Sequence, residues 1–153
     1  MSAGDVIVAI AAPIRRLDKL SFAAPLKDVL TIMQDATADN FRREQDPAGN
    51  PWAPLKRKYA KSKKILVDTG DLKESVTRAG AKGSVARITR TKLEFGTEIP
   101  YGRYHQHGTK RMARRQFVGV NDAILEKIER VFAEWVRWRI LRDAAGRFKE
   151  HPE

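Results

Sequence analysis

Between Pro25 and Phe41 the apolar side chains return at every third or fourth position, and this stripe constrains the fold more than any other feature of the chain. Leu26, Val29, Leu30, Met33, Ala36, Thr37 and Phe41 fall on one helical face, which is read as core packing. Asp28 stands near the start and Arg42 and Arg43 near the end, as the helix dipole prefers. Pro47 disfavours helical geometry at Asp46, so the helix must stop before it.

Residues 5–12 (DVIVAIAA) are short and β-branched and read as a strand; Pro13 then permits a short helix through Leu20. Residues 46–64 differ in kind. Pro47, Pro51 and Pro54, with Gly49 and Asn50, forbid regular structure over the first half. A loop without a hydrogen-bond ladder needs side-chain anchors, so Trp52 and Leu55 are expected to be buried, Trp52 in the core or in a subunit interface. Lys56 to Lys64 reads as a solvated or partner-facing strip.

Asp68-Thr69-Gly70-Asp71 is a turn or helix-cap signal, because short oxygen side chains bond nearby amides and Gly70 can take positive φ. Leu72 should enter the core. Ser75, Val76 and Thr77 are expected to begin an extended run, Gly80 and Lys82-Gly83 to form a hairpin turn, and Ser84–Thr89 and Leu93–Thr97 to be sheet strands. Residues 101–119 show no helical period and read as a loop dense in tyrosine, histidine and arginine, ending at Phe117-Val118. Asn121 or Asp122 then caps a last helix with Ile124, Ile128, Val131, Phe132 and Trp135 on one face; Trp138, Ile140 and Leu141 widen its apolar surface. The expected class is α+β: a small antiparallel sheet packed with a long helix in the N-terminal half and a C-terminal helix. Residues 1–143 form one domain and 144–153 a polar tail.

With 153 residues the chain fits a single domain with a core of its own, and with no cysteine it has neither disulfides nor thiolate metal sites. The apolar run Val6–Ala12 is followed, not preceded, by Arg15 and Arg16 and is too short to span a bilayer. A soluble intracellular product is expected. The formal charge of +11 permits nucleic acid, an acidic protein surface or anionic lipid as partner, and does not choose among them.

No catalytic constellation emerges. His105-x-His107 would share a side of a strand, but zinc takes three or four protein ligands and the only other histidine is His151. Asp68-Thr69-Gly70 matches the aspartic-protease triplet, yet the Asp71-Leu72 that follows suits a capping turn better than such an active site. Neither a nucleophile elbow nor a phosphate-binding glycine loop occurs. The basic runs match no helix-turn-helix, zinc finger or RNA-binding signature, which leaves non-specific phosphate contact as the alternative reading: a basic DNA-binding accessory protein. The expectation is a non-enzyme without cofactor or metal.

Four pieces in order carry a resemblance: Phe41; Asp46-Pro47-x-Gly49-x-Pro51-Trp52-x-Pro54-Leu55; Ile65 through Leu72 with Ser75; and Tyr101 through Thr109 followed by Met112 through Gly119. From about Leu26 to Ile128 the chain resembles the phage virion morphogenesis family, the tail completion proteins typified by the Mu-like phages. It departs at Ala113 and Gln116, where the family pattern has prolines. The resemblance implies a small α+β virion protein forming a ring, commonly six-fold, at the head–tail junction. That ring completes or terminates the tail, is assembled in the host cytoplasm, and has neck, connector and tail-tube proteins as neighbours and DNA in its lumen. A ring subunit needs lateral surfaces outside its core. The residues expected to form them are Trp52, Tyr101, Tyr104, His105, Gln106, Arg111, Arg114 and Arg115.

Overall fold

The computed structural model describes residues 6–11, 20–56 and 63–144. Helix α1 (Ala23–Arg43) buries Leu26, Val29, Met33, Thr37 and Phe41, the stripe that the spacing marks out. Its first turn holds Pro25, and Arg42 and Arg43 lie in its last. It ends at Glu44, which takes a left-handed conformation and donates its amide to the Asn40 carbonyl, three residues short of Pro47. The short helix expected over Pro13–Leu20 falls almost wholly outside the described residues.

Strand β1 (Val6–Ala11) runs antiparallel to β3 (Lys92–Thr97), whose other edge pairs antiparallel with β2 (Ser84–Ile88), giving the order β1-β3-β2. The register sets Val8 across from Phe95 and Ala86 across from the same residue. Leu93, Phe95 and Thr97 are buried by the alternation of β3, while Arg87 lies on the exposed side and pairs with Glu98 at 2.8 Å and with Glu94 at 3.5 Å. The class is therefore α+β, as read from the sequence. The hairpin turn, however, is Thr89–Lys92, where the Thr89 amide donates to the Lys92 carbonyl and the Lys92 amide to Thr89 Oγ1. The glycines at 80 and 83 instead turn the chain into β2.

Residues Ser75–Thr77 are not extended. They close helix α2 (Asp71–Thr77), which Gly70 opens with a φ of 91°. Leu72, Ser75 and Val76 stand at helical spacing and all three are buried, so packing overrides the β preference of Val76 and Thr77. Thr69 Oγ1 accepts the Asp71 amide at 3.3 Å, and Asp71 and Glu74 place negative charge in the first turn. The Ser75 and Thr97 hydroxyls lie 2.7 Å apart and tie α2 to β3.

The last helix, α4 (Asp122–Ala144), is capped by Asn121, whose Oδ1 accepts the Ile124 amide at 2.9 Å. It runs back along α1. Asn121 donates to the Pro47 carbonyl beyond the far end of α1, while Phe132 and Trp135 reach Phe22 at its start. Ile124 and Ile128 are buried with Leu26, Met33, Phe41, Leu72, Phe95 and Phe117 in one core; Trp138 and Leu141 are exposed. Most of the tail from 144 onward lies outside the described residues.

Trp52 enters this core edge-on to Phe41, with ring centroids 5.4 Å apart, and donates its indole N–H to the Gln116 carbonyl at 2.9 Å. Leu55 does not follow it. Exposed by 36%, Leu55 lies past Pro54, where the backbone is held at the surface by other bonds and no longer needs an apolar anchor. Trp52→Ala should lower unfolding free energy by about 3–5 kcal/mol in denaturant titration, whereas Leu55→Ala should cost well under about 1 kcal/mol, as surface changes do.

Candidate assembly interface

The segment after α1 is shaped by its own polar residues. Asp46 accepts the Asn50 amide at 2.8 Å and the Asn50 side chain at 3.0 Å, and Gly49, with a φ of 89°, makes the turn between them. Burial pushes the Asp46 carboxyl up, but these bonds from Asn50 and those from the Ala48 and Gly49 amides outweigh it and hold the group below the ordinary carboxylate value. Glu44 adds two ties: its carbonyl accepts the Trp52 amide at 2.7 Å, and its carboxylate accepts the Ile65 amide at 2.8 Å.

Facing this segment is the stretch before α4. Asn40 donates to the Phe117 carbonyl at 3.1 Å. Gly119 is a requirement of close packing here, because a Cβ would lie 2.8 Å from Pro47 Cγ. Arg115, 7% exposed, donates from Nε to the Ala53 carbonyl at 2.7 Å and from Nη2 to the Pro54 carbonyl at 3.0 Å.

Residues 101–119 are not wholly irregular. Gly102–His107 form a short helix, α3, where the sequence pattern predicts a loop. One turn and a half is too short to display a period, and tertiary bonds define it. Gln106 is buried: its Nε2 donates to the Val118 carbonyl at 2.6 Å, and its Oε1 accepts the Phe117 and Val118 amides at 3.1 and 3.2 Å. The helix also separates His105 from His107 by about 200° around its axis, so the two do not share a side. His105 is half-buried and His107 exposed. Where the family pattern has prolines, other devices hold the loop: Thr109 and Met112 exchange backbone hydrogen bonds, and Arg114 donates to the Gln116 side chain and to the Gln106 carbonyl.

The eight expected residues thus divide. Trp52, Gln106 and Arg115 turn inward and hold two irregular segments together. Tyr101, Tyr104, Arg111 and Arg114 face outward, the two tyrosines about 40% exposed. His105 lies between, its ring edge-on to Tyr101 at 6.2 Å. Beside Tyr101 opens a groove of about 950 Å³, walled by Leu55, Leu66, Val67 and Met112 and rimmed by Lys56, Lys63, Lys64 and Arg111. Composition alone flags the outward residues but not Leu55, whose expected place is inside.

The family model for the phage virion morphogenesis family matches residues 8–137. The chain belongs to this family. No curated protein and no solved structure matches it. Membership gives the chain a structural or assembly role in a phage particle and points away from catalysis. Among the described residues no helix is long and apolar enough to cross a membrane. The match spans both of these irregular segments, Trp52 with its loop and Gln106 with Arg115.

Two tests follow from this geometry. Arg115→Ala strips the Ala53 and Pro54 carbonyls of their buried donor and should cost about 1–3 kcal/mol of stability; Arg115→Lys should recover only part, since one ammonium lacks the guanidinium fork. Burial, and secondly the Arg115 guanidinium, hold His105 below its ordinary value of 6.5. The unfolded chain therefore binds a proton first, and the His105 contribution is complete above about pH 6.5 and lost as pH falls through the depressed folded value. His105→Gln should flatten that part of the stability–pH curve, measured by thermal unfolding across the range.

Proposed function

We propose that this chain acts as a ring subunit at the head–tail junction, completing or terminating the tail so that a head can join. The observation that supports this reading is the outward face of the segment from Tyr101 to Arg114. Tyrosine and arginine dominate interface energetics because each buries much area while keeping polar reach. Here Tyr101, Tyr104, Arg111 and Arg114 stand exposed on a backbone fixed from beneath by Gln106 and Arg115. A surface so held loses little conformational freedom on docking, which favours association. A ring of three or more copies uses one patch against a different one, so each subunit offers two lateral surfaces.

Tyr101→Ala combined with Arg111→Ala should leave a folded protein, since neither side chain is buried. In phage complementation that double variant should yield heads and tails that remain unjoined, or tails of uncontrolled length, as seen by electron microscopy. Normal infectious particles carrying the variant would exclude this face from the junction.

A further inference from the structure

We propose that the first turns of α4 of one copy dock into the groove beside Tyr101 of the next. This rests on the ring reading above and adds which two surfaces of the chain meet.

The groove is apolar within and basic at its edge. Leu55, Tyr101 and Met112 are exposed by 36%, 42% and 37%, a cost in water that a covering partner removes. Of the rim charges, Lys63 is matched to Asp68 at 3.1 Å, and Arg115 is committed to the Ala53 and Pro54 carbonyls. Lys56, Lys64 and Arg111 form no ion pair among the described residues and face a single unpaired carboxylate, Asp71. An occupant should therefore be apolar at its centre and acidic around it.

Among the described residues, the first turns of α4 carry a surface of that description. Asp122, Leu125, Glu126 and Glu129 stand at i, i+3, i+4 and i+7 of α4, all exposed, on the side turned away from buried Ile124 and Ile128. Leu125, at 47% exposure, is a leucine ringed by three carboxylates, none ion-paired among the described residues. In a chain with 30 lysines and arginines against 19 aspartates and glutamates, such a stripe runs against the overall composition. Lys127 and Arg130 fall to its side. Stripe and groove share no residue and differ in sign, so each fits the other and neither fits itself. Contacts of this head-to-tail kind build rings when the rotation between copies closes, whereas a two-fold dimer needs a self-complementary patch.

The absence of cysteine allows a direct test on the full chain. Leu125→Cys and Met112→Cys, both at exposed sites, would be made singly and together and treated with a short bismaleimide. The double variant should give a ladder of cross-linked multimers, a mixture of the two single variants should give dimers alone, and each single variant should give none. Glu126→Lys with Glu129→Lys in the double-cysteine background should reduce the ladder at least tenfold, with circular dichroism unchanged. Rings seen by electron microscopy without the Leu125–Met112 cross-link would overturn this docking and leave the ring reading intact. Cross-linked dimers from either single variant would overturn both, by revealing a self-complementary contact.

Discussion

The rest of the structure depends on the lacing of two irregular segments, 44–54 and 115–121, around Phe41, Trp52 and Phe117. The first segment closes partly on itself, its Asp46 and Trp52 amides donating to the Asn50 and Glu44 carbonyls, and side chains of each segment then meet carbonyls of the other. Trp52 and Arg115 do this in opposite directions: the indole donates to Gln116, and the guanidinium donates to Ala53 and Pro54. Asn40 and Asn121 supply two more donors, to Phe117 and Pro47. Since α1 enters the lock at one side and α4 leaves it at the other, these bonds fix how the two long helices lie together.

The same lock makes a rigid outer face out of a loop. Gln106 and Arg115 spend their polar groups inward, and the short helix α3 between Tyr101 and Gly108 has its end fixed by them. Tyr101, Tyr104 and Arg111 are thereby carried on a surface that does not have to order itself. The neighbouring groove gains its shape from the same source, because Pro54 and Leu55 are held where Arg115 places them.

Basic residues are spread along the chain, but Lys56, Lys64 and Arg111 share one groove, while α4 opens with Asp122, Glu126 and Glu129. Net charge by itself permitted nucleic acid, lipid or protein as partner. The proposed contact between copies rests on where the charges lie and not on their sum.

By itself the sequence determined the two long helices, the Asn121 cap, the strands of the hairpin and the inward Trp52, because each rests on local periodicity or short-range chemistry. Its ordered motifs also carried the family. Tertiary structure alone decided that Ser75–Thr77 is helical, since Val76 gains more by packing than it loses in propensity. It decided too that Leu55 is outside and that adjacent arginines part company, Arg114 outward and Arg115 in. Such choices depend on which carbonyls of a distant segment lie within reach, and sixty residues of intervening chain hide that distance from any local pattern.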